Sequence, residues 1–142
     1  VALDRSAFGA PLHVRSIEAP KSGPAVIELY GVVERADAPL GCTKTDRVEK
    51  VEPGGEVRYA EDCKRGPLRE EITVRVSMLE LPSNPAPAIG DQLVVAGTLT
   101  RSELSTKRAG AVRVDRHSLE IGSGVIVEMW RDKMLLANFF FQ

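Results

Sequence analysis

The chain has 142 residues, with 19 lysines and arginines against 20 acidic residues and a formal net charge of −1. That balance lacks the broad positive field of a strongly basic nucleic-acid-binding domain, so any anion site has to be local. Hydrophobic residues at 43% and charged residues at 27% exclude a disordered or fibrous chain, and the length suits one domain around one core.

The longest apolar runs, such as "LVVAG" and "MLLANFFF", fall well short of the roughly 20 residues that span a bilayer, so no membrane partner is expected. "VALDRSAF" lacks the basic start and apolar core of a signal peptide, and a mature or truncated product is the expectation. Residues 1–24, with "GAP" and "EAPKSGP", show little periodicity and read as an extended N-terminal arm. The domain is expected over residues 25–142.

"AVIELYGVVER" (25–35) is rich in β-branched residues and reads as a strand, with Gly31 marking a bend or bulge. "DAPLGC" breaks the pattern. A charged, exposed hairpin is expected after it, with "PGG" (53–55) near its turn. Cys42 and Cys63 flank this segment. A hairpin over residues 46–60 brings the two thiols back towards each other, but sequence does not fix the register, so bonded and free thiols both stay open. A cytoplasmic or organellar matrix is the favoured compartment, and an extracytoplasmic one if the two are bonded. Without a neighbouring Cys or His pair they do not make a zinc site of the usual spacing; no metal and no cofactor are expected.

"EEITVRVSMLEL" (70–81) gives the clearest alternation in the chain, Ile72, Val74, Val76 and Met78 against Thr73, Arg75 and Ser77. "PSNPAPAIG" (82–90) is a loop, because three prolines in nine residues preclude a regular helix. "DQLVVAGTLT" (91–100) is a strand, and Gly97 falls where a curved sheet needs it. "SELSTKRAG" turns the chain into "AVRVDRHSLEI" (111–121), whose apolar phase shift predicts a bulge near residues 115–117. The tail "VIVEMWRDKMLLANFFFQ" reads as a strand followed by a helical turn. An all-β fold follows: a small five- to six-stranded closed barrel with a short C-terminal strand and helical extension.

"AVIELYGVVERADAP", "EITVRVSMLELP", "IGDQLVVAGTLTRSE" and "AVRVDRHSLEIG" together resemble the oligonucleotide/oligosaccharide-binding (OB) fold of single-stranded DNA-binding proteins, over roughly residues 25–122. The resemblance implies a single-stranded nucleic acid lying on one barrel face and between projecting hairpins, with bases on aromatic rings and phosphates on Lys and Arg. By position it assigns Arg101, Lys107 and Arg108 to one hairpin and Arg113 to the returning strand. Arg75 falls on the outward face of the middle strand, and Lys50, Arg58 and Tyr59 on the second arm. Tyr30 is the candidate for stacking a base. DNA is preferred to RNA as the ligand.

Two departures weigh against this. Aromatic residues are only 5% of the chain and none lies near Leu104, and stacking is worth about 1–3 kcal/mol per base. The second hairpin has as many acids (Asp46, Glu49, Glu52, Glu56, Glu61, Asp62) as bases (Lys44, Arg47, Lys50, Arg58, Lys64, Arg65). The alternative is therefore an OB-like interaction subunit of a larger complex, with no nucleic-acid binding of its own. Trp130, Phe139, Phe140 and Phe141 form a terminal apolar cluster that fits a homo-oligomer or partner contact. An enzyme is not expected. His13 and His117 lack motif partners, Glu70 and Glu71 are adjacent on a strand and face opposite ways, and no phosphate-cradling glycine loop is present.

Overall fold

The computed structural model describes residues 2–3 and 11–139, apart from the side chains of 2–3 and 43–46. Seven strands make one sheet: β1 (Ala2–Leu3), β2 (His13–Glu18), β3 (Ala25–Val51), β4 (Val57–Met78), β5 (Gln92–Ala109), β6 (Val112–Arg131) and β7 (Met134–Asn138). Among the described residues there is no helix, and so none long and apolar enough to cross a membrane. The strand order is β1-β5-β2-β3-β4-β6-β7, and β5 also pairs with β6. Every pairing is antiparallel except β4 with β6, which is parallel.

The pairings β2–β3, β3–β4, β4–β6 and β6–β5 return to β2, because His13 pairs with Gln92. Three backbone hydrogen bonds reinforce that junction: Val14 N–H to Asp91 O at 2.8 Å, Gly90 N–H to Val14 O at 2.8 Å and Leu93 N–H to Leu12 O at 3.1 Å. They supply partners for groups that a short edge strand would otherwise leave unpaired.

The core follows from strand alternation. Leu12, Val14, Ile27, Leu29, Ile72, Val74, Val76, Met78, Leu93, Val95, Leu119, Ile121, Ile126 and Met129 form one buried cluster. Each fully buried aliphatic side chain contributes roughly 1.5–3 kcal/mol relative to an exposed one. Close approach at the bends depends on missing side chains. A Cβ on Gly97 would lie 2.5 Å from Ile121 Cγ2 and 2.8 Å from the Gly122 carbonyl, and one on Gly31 would lie 2.9 Å from the Pro11 carbonyl.

Residues 1–24, read as an arm, contain β2, and Leu12 and Val14 belong to the core. Among the described residues the tail holds no helical turn. Asp132 and Lys133 take positive φ (50° and 65°), the conformation of a two-residue hairpin turn, so Met134 to Asn138 fold back as β7 on the end of β6. No bulge interrupts residues 115–117. β6 pairs with β5 without a break from Val112 to Glu120, and the register shifts lie beyond that stretch, between Val94 and Val95, between Ala96 and Thr98 and between Leu99 and Arg101. The apolar phase changes because Val114 is buried in a cleft with Pro67 and Leu68, while Asp115 is buried through polar contacts with Arg113 and Thr106.

The charged hairpin is much longer than residues 46–60. β3 and β4 stay paired from Ala25–Met78 out to Val51–Val57, absorbing "DAPLGC" as register shifts near residues 35–41.

Candidate functional site

Cross-strand registry decides what the outer face presents. Residues opposite one another share a face, and the rows across β3, β4, β6 and β5 read Glu28–Arg75–Glu120–Arg101, then Tyr30–Thr73–Ser118–Glu103, then Val32–Glu71–Arg116–Ser105, then Glu34–Arg69–Val114–Lys107. Acid and base alternate along the whole first row, and adjoin as Glu71–Arg116 in the third and Glu34–Arg69 in the fourth. Arg15 of β2 donates to Glu28 at 3.1 Å, and Arg75 reaches Glu28 at 3.6 Å and Glu18 at 3.8 Å. Arg116 donates to Glu71 at 3.3 Å. Arg69 pairs with Glu34, and Arg101 with Glu103. These pairs are largely exposed, so each is worth only about 0.2–1 kcal/mol of stability. Their larger consequence is that the face neutralises itself.

Tyr30 lies in the middle of this lattice. Its hydroxyl donates to Glu71 at 3.5 Å, and the Arg15 guanidinium carbon sits 4.4 Å from its ring centroid, within cation–π range. The ring face a base would use is thereby capped. The Arg69 guanidinium is held above its ordinary value, chiefly by the Tyr30 side chain, with burial opposing the shift and Glu34 adding to it.

The sequence-predicted residues divide into three groups. Tyr30, Arg75 and Arg101 share the outer face in adjacent rows. Lys107, Arg108 and Arg113 sit at the far end of the β5–β6 hairpin. Lys50, Arg58 and Tyr59 sit near the tip of the β3–β4 hairpin, where Lys50 and Arg58 both face Glu52 at 3.7 Å. Arg113 is structural, donating to Asp115 at 3.0 Å and to the Leu40 carbonyl at 2.7 Å, which ties β6 to the base of the β3–β4 hairpin. Among the described residues, Lys107 and Arg108 have no ion pair within 4.0 Å. Sequence reasoning missed Arg15, Arg116, Glu28, Glu71 and Glu120, whose positions on the face depend on a registry no local pattern reveals.

Glu70 and Glu71 do diverge, Glu70 towards His117 at 3.5 Å and Glu71 towards Arg116. Trp130 pairs with Gln92 and Leu135, and Phe139 packs against the chain's own core. Phe140 and Phe141 lie outside the described residues.

Cys42 and Cys63 are opposite each other in the β3–β4 register and form a disulfide, with Cα atoms 4.0 Å apart. Among the described residues it is the candidate metal cluster as well, together with Glu61, but bonded sulfurs offer no thiolate.

No family model matches the chain, and neither a curated protein nor a solved structure is significantly similar to it.

Proposed function

We propose that this chain is an OB-type barrel working as a protein-interaction module in an oxidising compartment. The cycle of pairings, with its single parallel step between β4 and β6, supports the barrel reading, because closure removes the exposed edges of an open sheet. The Cys42–Cys63 bond supports the compartment.

One observation carries the functional reading: the outer face is a lattice of paired charges. Arg15, Arg75, Arg101, Arg69 and Arg116 each meet a carboxylate. A phosphate arriving there would have to displace those carboxylates and also meet their repulsion. What the module offers instead is exposed apolar side chains on its two long hairpins, including Val48, Val51 and Tyr59 on β3–β4 and Leu104 on β5–β6.

Photo-crosslinking residues placed at Tyr59 and at Leu104, with Lys21 as an exposed control, test this in the cells that express the protein. Discrete protein adducts from the two ribbons and none from Lys21 are expected. Adducts of equal intensity from all three positions would contradict it.

Single-strand binding is a second reading, favoured by the unpaired Lys107 and Arg108 beside Arg113 at the end of the β5–β6 hairpin. It needs a path along that ribbon rather than across the neutralised face, and it predicts salt-sensitive binding of an oligonucleotide.

A further inference from the structure

The β3–β4 hairpin beyond the disulfide has two unlike sides. Val51 pairs with Val57 and Val48 with Tyr59, while Lys50 pairs with Arg58 between them. Alternation along β4 sets Val57 and Tyr59 on one side and Arg58 on the other, and the register shift between Val48 and Lys50 brings Val48 and Val51 to the side of their partners and Lys50 to that of Arg58. The four apolar or aromatic side chains are 51%, 62%, 46% and 48% exposed. Val57 and Tyr59 border a concave surface of about 650 Å³ that Glu49, Glu52, Glu56 and Glu61 also line, with Arg58 the one base lining it among the described residues. Arg58 is itself turned to Glu52.

We propose that this side of the ribbon docks an extended, cationic, amphipathic peptide segment of another protein, with apolar residues at alternate positions and Lys or Arg between them. The inference rests on the interaction-module reading and names the partner chemistry for one of its two ribbons. Three features select that occupant. Same-side residues on a strand recur about every 6.6–6.8 Å, so an extended segment matches the spacing of the valine and tyrosine pairs. On the rim, Glu49, Glu56 and Glu61 complement lysine or arginine side chains, Glu52 being engaged by Lys50 and Arg58, and Tyr59 offers a ring face to a cation. The same rim opposes a polyanion, and it opposes a second copy of this chain docked symmetrically, which would set glutamates against glutamates. The disulfide belongs to the same design: it holds Cys42 opposite Cys63, fixing the register of a ribbon whose two-sided exposure would otherwise specify it weakly.

The test is an NMR titration of the intact, oxidised, isotope-labelled chain with three synthetic peptides of equal length, alternating Lys-Val, alternating Glu-Val and alternating Lys-Ser. The Lys-Val peptide is expected to shift amides of residues 48–61, the Glu-Val peptide to shift none, and the Lys-Ser peptide to bind at least about ten-fold more weakly, because the apolar anchors are lost. Glu56→Gln with Glu61→Gln should weaken the Lys-Val peptide about five-fold, the scale of two rim ion pairs. Tyr59→Ala should weaken it by about ten-fold. Equal binding of Lys-Val and Lys-Ser, shifts spread over the acidic surface at large, or no effect of these exposed substitutions would overturn the proposal. If the Lys-Val peptide fails to bind while crosslinks from Leu104 persist, the partner chemistry is wrong and the interaction module stands. Failure of both removes the module as well.

Discussion

Replacing Gly97 by alanine tests whether β5 and β6 close on each other as described. The added methyl would lie 2.5 Å from Ile121 Cγ2, 2.8 Å from the Gly122 carbonyl oxygen and 3.1 Å from Gly124 Cα. Ile121 is 2% exposed and held in the core, so its methyl has nowhere to retreat, and the other two atoms are backbone. Overpacking a close-packed site costs typically 1–3 kcal/mol. With backbone on two sides, about 3 kcal/mol is expected, equivalent to a fall in Tm of roughly 10 °C for a domain of this size. Gly66→Ala is the control, since its methyl would meet only the flexible Leu40 side chain at 3.3 Å, and its cost should stay below about 1 kcal/mol. Urea unfolding followed by tryptophan fluorescence reads both variants. Equal stability of Gly97→Ala and the parent chain would refute the close crossing of β5 and β6, and with it a support of the barrel proposed above.

Asp91 is 2% exposed. Its carboxylate accepts from Arg131 Nε and Nη2, both at 2.8 Å, and from the Ala88 amide at 2.9 Å. The Arg131 hydrogen bonds hold its pKa below the ordinary 3.8, outweighing the opposite effect of burial. A depressed carboxylate stabilises the fold fully above its unfolded pKa, and that contribution disappears as pH falls through the lower folded value. Arg131→Met should cost about 3 kcal/mol at neutral pH by stranding the carboxylate, and the deficit should shrink on acidification as the carboxyl takes a proton. A deficit independent of pH, in denaturant midpoints at neutral and acid pH, would rule out this pairing. Reducing Cys42–Cys63 opens a loop with a sequence separation of 21, worth about 3 kcal/mol in chain entropy. Amide exchange should accelerate across residues 39–65 while Ile72, Val74 and Val76 keep their protection. Uniform acceleration would show that the ribbon and the core unfold as one unit.

Much of the sheet was legible in the chain, because strands with one face buried write their period into the sequence. Residues 25–35, 70–78 and 92–99 alternate as strands of a curved sheet should, and "PSNPAPAIG" is the irregular connection its prolines require. β2 was hidden. Its core residue Val14, and Leu12 just before the strand, precede a register shift between Val14 and Ser16, which breaks the alternation after a single repeat. The outer part of the β3–β4 ribbon was hidden for a different reason: with solvent on most sides it has no hydrophobic period to display, and its length comes from hairpin pairing. The tail misled because Trp130, Met134 and Leu135 keep helical spacing, whereas the two positive-φ residues between them set a turn. The candidate site was least legible. Arg75 and Arg101 were found as surface bases, but that Glu28 and Glu120 stand beside them in one row depends on the parallel register of β4 and β6.

The self-neutralised outer face is most directly tested by titrating a fluorescently labelled single-stranded oligonucleotide with the oxidised protein at low salt and again at moderate salt. No saturable binding is expected at either. Saturable binding with a log–log salt slope near −3, about four or five neutralised phosphates at roughly −0.7 each, and its loss in an Arg75→Ala, Arg101→Ala variant, would contradict the account.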